Sequence, residues 1–228
     1  MNILALDTGM GACSAAVLRA GGEPKLFARQ DVMARGHAEA LMPMVAEVMA
    51  EAGLNFSDLD LIAATTGPGS FTGVRIAIAA ARGLALVTHA KLFGTDSLTV
   101  MAKAALADGL TPEGPYAVAV DARRGMLYFG RFDAAGRKRE GPLLIAPDDA
   151  AMVLPHDLHI AVGSGATLLA EAAAQRGHRI EARLPELEPS AASLAEIAFA
   201  SGETVPALKP LYLRAPDAKP KAQEVARR

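Results

Sequence analysis

The sequence predicts an α/β fold made of two copies of one unit, a βββαβα pattern closed by a further strand, and three observations carry that expectation. The apolar period switches from two to 3.6 and back along the first half of the chain. A strand-Asp-turn pattern occurs twice, as Leu4-Ala5-Leu6-Asp7-Thr8-Gly9-Met10-Gly11 and as Val118-Ala119-Val120-Asp121-Ala122-Arg123-Arg124-Gly125. Between the copies, Asp108-Gly109-Leu110-Thr111-Pro112-Glu113-Gly114-Pro115 is dense in chain breakers and marks a boundary. With 228 residues, one large or two small domains are expected.

The elements follow in order. Residues 2 to 7 form a strand, a Gly-containing turn follows, and a second apolar run at Ser14 to Leu18 completes a hairpin. Gly21-Gly22 turns the chain into a third strand at Lys25 to Arg29. From Gly36 the spacing of Leu41, Met44, Val45, Val48, Met49 and Ala52 predicts a helix ended by Gly53, with Pro43 implying a late start or a kink. Leu59 to Thr66 reads as a strand, Gly67-Pro68-Gly69-Ser70 as a turn, Thr72 to Thr88 as a helix, Lys91 to Gly94 as a strand and Ser97 to Ala107 as a helix. This is the ribonuclease-H-like layout, and its duplication outlines the actin-like, Hsp70-like ATPase superfold, in which two lobes face a nucleotide cleft. The expected organisation is an N-terminal lobe at 1–107, a C-terminal lobe at 108–214, and a disordered tail at 215–228, which is rich in Pro, Lys, Ala and Arg without apolar periodicity.

Composition narrows the function. Lys and Arg number 23 and Asp and Glu 25, so the formal net charge of −2 makes no electrostatic glove for nucleic acid. Any such role must be local or borrowed from a partner. The longest apolar stretch, Val74 to Ala90, is interrupted by Arg75, Arg82 and His89 and falls short of the ~20 apolar residues of a membrane span. The N-terminus has no basic segment and reaches Asp7 too soon for a secretory signal. A single cysteine, Cys13, excludes an intrachain disulfide and fits a reducing cytoplasm.

Several motifs can be weighed on chemistry alone. Gly9-Met10-Gly11-Ala12-Cys13-Ser14 is no dinucleotide fingerprint, because the third Gly is Ser14 and a strand, not a helix, follows. Asp7 and Asp121, each at a strand end, either hold a hydrated Mg²⁺ or cap turns. Gly67-Pro68-Gly69-Ser70-Phe71-Thr72-Gly73-Val74-Arg75 is the most distinctive stretch. Its glycines allow close backbone approach, Ser70 or Thr72 can cap the next helix, and a tightly packed strand-to-helix turn is the favoured reading over an anion site. His156 and His159 are a potential ligand pair, but the other histidines are scattered in sequence, so no metal is expected. Cys13 reads as a packed small hydrophobe. The first helix is apolar over more than one stripe, with Met42 roughly opposite Met44, which implies a second surface to cover.

The glycine-rich stretch, preceded by Arg35-Gly36-His37-Ala38-Glu39-Ala40-Leu41-Met42-Pro43-Met44 and followed by Asp121-Ala122-Arg123 and Leu211-Tyr212-Leu213-Arg214, resembles the TsaB (YeaZ) family of tRNA threonylcarbamoyladenosine biosynthesis over about residues 1 to 214. The resemblance implies the superfold outlined above. It also implies a heterodimer with the related catalytic subunit TsaD and cooperation with the ATPase TsaE. Together they support threonylcarbamoyl transfer to the adenosine beside the anticodon of tRNAs reading A-starting codons. The catalytic paralogue carries a metal-binding pair of His residues four apart after its Gly-Pro-Gly helix. Here Gly94-Thr95-Asp96-Ser97-Leu98-Thr99-Val100-Met101 places Ser97 and Met101 in those positions, and neither replaces an imidazole.

The expectation is therefore a cytoplasmic, non-catalytic scaffold subunit with no cofactor or metal of its own. Leu41, Met44, Val45, Val48, Ala77 and Ala81 would form the TsaD-binding helix face, tRNA would be met only through the complex, and homodimerisation of the isolated chain is left open. Asp7, Thr8, Asp121, Gly163, Ser164 and Gly165 would line a vestigial nucleotide pocket. The alternatives are an ATP- and Mg²⁺-dependent enzyme of the same superfold, using that pocket, and a metallopeptidase-like protein, which would need the missing His pair.

Overall fold

The computed structural model describes residues 1–214, so the tail expected to be disordered at 215–228 lies outside the described residues. Strands β1 (Asn2–Asp7), β2 (Ala12–Arg19) and β3 (Lys25–Val32) form an antiparallel meander. Helix α1 (His37–Ala52) leads into β4 (Leu61–Thr65), and α2 (Phe71–Thr88) into β5 (Lys91–Thr95). Both later strands pair in parallel, giving a five-stranded sheet in the order β3-β2-β1-β4-β5. The central strands are buried on both faces, which explains their continuous apolar runs. The edge strand β3 instead carries exposed Lys25, Arg29, Gln30 and Asp31, charges and polar groups that discourage pairing with another chain.

After α3 (Ser97–Ala107) the unit repeats. Strands β6 (Tyr116–Asp121), β7 (Leu127–Phe132) and β8 (Lys138–Ile145) form a second meander, followed by α4 (Pro147–Met152), β9 (Ile160–Val162), α5 (Ala166–Ala174), β10 (Glu181–Arg183) and α6 (Ala191–Ser201). The second sheet runs β10-β9-β6-β7-β8, the order of the first read from its other end. The fold is thus the duplicated α/β architecture of the actin-like superfold, with Asp7 and Asp121 ending equivalent strands.

One face of the first sheet is covered by its own helices, α1 and α2, in a core that joins Leu4, Leu6 and Val17 to Leu41, Val45, Val48, Ala77 and Ala81. The opposite face, with Ile3 and Ala5, is covered by α6 through Leu194, Ala195 and Ala198. The second sheet reverses the arrangement: α4 and α5 cover one face, and Leu98 and Met101 of α3 pack with Tyr116, Val118 and Phe132 on the other. Each sheet therefore takes one cover from the opposite half of the chain. The 107/108 position separates the two sheets, but not the helices that cover them.

Pro43 neither delays nor ends α1, which runs unbroken from His37. Pro43 lies on the exposed side, where the carbonyl left without its i+4 donor can be hydrated. By length and composition alone α2 is long and apolar enough to cross a membrane, which its interrupting charges had argued against. Its Val74, Ala77, Ile78 and Ala81 are buried in the core, while Arg75 and Arg82 are exposed.

Candidate functional site

The two strand-end turns face each other across a cleft of about 950 Å³, lined by Gly9, Gly11, Asp121, Arg123, Ser164 and Glu188 among others. On the N-terminal side, α2 abuts the β1–β2 turn with no space between the backbones. A Cβ at Gly69 would collide with the Gly9 carbonyl oxygen, and one at Gly73 with that of Thr8. Ser70 caps α2 by accepting the Gly73 N–H at 2.9 Å, and Thr8 Oγ1 donates to the Gly73 carbonyl at 2.7 Å. The glycine-rich stretch is thus a close-packing device, in keeping with its sequence reading.

Beneath this turn Asp7 is fully buried, accepting a hydrogen bond from Thr65 Oγ1 and another from the Gly9 N–H at 3.3 Å. Burial pushes its carboxyl up to about 7 against the hydrogen bonds, and the nearby Glu188 charge adds to the rise. Glu188 accepts the Gly11 N–H at 2.8 Å, and burial raises its carboxyl as well. A Cβ at Gly11 would meet the Glu188 carboxylate at 2.5 Å, so a side chain there would have to displace Glu188.

Across the cleft, Asp121 accepts the Arg123 N–H at 2.7 Å and lies 3.5 Å from the Arg123 guanidinium, while its own N–H is donated to Ser164 Oγ at 3.2 Å. Arg123 and Arg124 adopt left-handed φ of 63° and 57°, a conformation costly for non-glycine residues. The cleft mouth is crossed by Leu211–Arg214: the Leu211 N–H is donated to the Thr66 carbonyl at 2.7 Å, and Tyr212 stacks on Phe71.

The expected nucleotide pocket is only partly assembled. Asp121 and Ser164 line the cleft, but Asp7 and Thr8 are sealed beneath it, and Gly163 and Gly165 are buried where a Cβ would strike β6. Asp7, fully buried with its carboxyl oxygens engaged by Thr65 and Gly9, is not open to the cleft and does not fit a Mg²⁺ ligand there. Ser97 and Met101 are likewise fully buried between the halves. Among the described residues, no group of three His, Cys, Asp or Glu is placed to hold a metal. Cys13 is buried, with its thiol pushed up to about 11 by burial, and is unsuited to nucleophilic work.

The helix face named from the sequence requires correction. Leu41, Met44, Val45, Val48, Ala77 and Ala81 are all buried within the monomer, because the 3.6-residue stripe with the strongest apolar content is the one the chain spends on its own sheet. The open apolar side is a different stripe: Met42 on α1 is 42% exposed, and Leu86 and Val87 on α2 are 78% and 72% exposed. Exposed Ala46, Ala50, Ala79 and Gly83 lie on the same outer sides. Both helices cover one face of the sheet, so these sides open in one direction. The second apolar stripe read around Met42 was the signal for it.

His178, remote in sequence, also proves to be beside His156 and His159, with ring centroids 6.3 and 6.1 Å away. Glu188 was missed, since Glu186-Leu187-Glu188-Pro189 has no period or spacing that points to the cleft.

Comparison with known proteins agrees with this architecture. The family model described as TsaD, tRNA N6-adenosine threonylcarbamoyltransferase, matches residues 30–221. The tRNA threonylcarbamoyladenosine biosynthesis protein TsaB of Escherichia coli is 32% identical over 94% of this chain and 95% of its own. The TsaB of Haemophilus influenzae is 30% identical over 94% of both chains. The solved structure of YeaZ from Pseudomonas aeruginosa superposes with a TM-score of 0.78 at 32% identity, covering 92% of this chain and all of that one.

Proposed function

Because this chain belongs to the TsaB (YeaZ) family of tRNA threonylcarbamoyladenosine biosynthesis proteins, and to the wider TsaD family, we propose that it is a non-catalytic subunit that holds TsaD in a competent state. The observation that carries this reading is the burial of Ser97 and Met101. Where the catalytic paralogue is expected to carry its metal-binding His pair, this chain has a hydroxyl and a thioether sealed in its interlobe core. The carboxylates at the cleft lend further support, because Asp7 is buried and Asp121 is engaged by Arg123.

The docking surface in this proposal is the outward side of α1 and α2 around Met42, Ala46, Gly83, Leu86 and Val87, in place of the buried stripe. Small residues beside two exposed aliphatic side chains suit close helix-on-helix packing with TsaD, or with a second copy of the chain when TsaD is absent. TsaE would join that assembly, and tRNA would be recruited by the complex in the cytoplasm, since a net charge of −2 gives this subunit no overall field for it. The test is reconstitution of tRNA modification from TsaD, TsaE and this chain. Transfer is expected only in the complete mixture. Transfer by this chain alone, or an undiminished rate when it is left out, overturns the reading.

A further inference from the structure

The C-terminal lobe holds a second concavity, of about 540 Å³, away from the cleft and from the α1–α2 face. Its lining combines Arg176 and Arg179 with His156, His159 and His178, together with the buried Ala151 and Leu154 and with Met152 exposed at the rim. The chain collects these five nitrogen-bearing side chains from two loops, the one before β9 and the one between α5 and β10. No carboxylate lines the pocket. Neither guanidinium has an ion-pair or hydrogen-bond partner among the described residues, whereas Arg131, Arg137, Arg139 and Arg183 of the same lobe are each paired with an acid. His178 is held in place, because the Leu158 carbonyl 2.8 Å from its Nε2 can only accept and so fixes the proton on that nitrogen.

We propose that this pocket binds a phosphate group, with Arg176 and Arg179 as the charged forks and His156, His159 and His178 as the surrounding imidazoles. Guanidinium matches phosphate oxygens in geometry as well as charge, and two unpaired guanidiniums in one concavity leave a charge that an anion would neutralise. The volume lies within the ~300–1,000 Å³ of small-ligand pockets. The group could come from a free phosphate or small phosphorylated molecule, or from the sugar-phosphate backbone of RNA. Only the RNA source rests on the role in tRNA modification.

The experiment titrates inorganic phosphate into the chain alone and follows the imidazole resonances of His156, His159 and His178, with His37 and His89 as references. The three pocket histidines are expected to shift together while the references do not. The R176Q/R179Q double variant, and separately Met152→Glu, which adds an opposing charge at the rim, should each weaken phosphate at least fivefold without lowering the melting temperature. Unmodified tRNA is then added: displacement of phosphate from these resonances identifies the RNA backbone as the source, and its absence a free or small-molecule phosphate. Equal shifts at His37 and His89, or unchanged affinity in both variants, overturns the proposal. So does a fall in melting temperature with unchanged affinity, since the arginines would then only be serving the carbonyl end of α5. Because the titration needs no partner, its result is independent of whether the reconstituted complex works.

Discussion

The Nε hydrogen of Arg75 is donated to the Tyr212 hydroxyl at 2.7 Å, joining residues 137 positions apart at the edge of the cleft. The same guanidinium lies 3.5 Å from the centroid of the Phe71 ring, and Phe71 stacks on Tyr212 at 5.5 Å. An exposed cation–π contact and a hydrogen bond each contribute about 1 kcal/mol. Tyr212→Ala should therefore release the segment across the cleft without unfolding the protein. Hydrogen exchange at the Leu211 amide, now bonded to the Thr66 carbonyl, is expected to quicken about tenfold while the melting temperature changes little.

Val45 and Leu86 separate core from the proposed docking surface. Val45→Glu places a carboxylate among fully buried apolar groups, at a cost of several kcal/mol against a total stability of ~5–15 kcal/mol. The variant should be unfolded or insoluble by circular dichroism. Leu86→Glu, on a side chain 78% exposed, should keep wild-type stability within about 0.5 kcal/mol and weaken binding to TsaD tenfold or more. A stable Leu86→Glu chain with wild-type affinity would remove the α1–α2 face from the interface.

Asp7 gives stability a defined pH dependence. Its carboxyl is raised from 3.8 to about 7, so the folded state holds a proton that the unfolded chain has already lost in this range. Stability should fall as the pH rises from about 4 to about 7 and level off above it. The total is on the order of 4 kcal/mol, about three units at ~1.4 kcal/mol each. Asp7→Asn should flatten this component in denaturant titrations across pH, leaving tRNA modification by the reconstituted complex largely intact. A hundredfold loss of transfer in a folded, assembled variant would correspond to ~2.7 kcal/mol of lost transition-state stabilisation and would make Asp7 catalytic.

Gly73→Ala tests the contact between α2 and the β1–β2 turn. Alanine favours helices by about 1 kcal/mol over glycine, yet its Cβ would strike the Thr8 carbonyl. A net loss of at least 2 kcal/mol in urea unfolding is expected, whereas Gly83→Ala, which meets nothing within 4 Å, should be neutral or stabilising.

Periodicity located the strands and helices of the first half because each buries one face or both, and the repeated Asp-turn pattern revealed the duplication because Asp7 and Asp121 end equivalent strands, whereas β8 to α6 were not placed from the sequence. Which stripe of α1 met the sheet was harder to read. Met42 and Met44 are equally apolar, and only the position of the sheet decides that Met44 is buried and Met42 is open. Glu188 and His178 were invisible for another reason. Each reaches its site through tertiary placement, against Gly11 in one case and beside His156 and His159 in the other.

The exchange of α3 and α6 across the two sheets bears on how the molecule comes apart. A chain cut at 107/108 would yield two fragments, each displaying a sheet face that its missing counterpart was meant to cover. Neither half should persist alone, and mixing them should restore a single nicked protein. For the intact chain, the interlocking leaves no independently melting piece, so calorimetry should record one cooperative transition for the whole body.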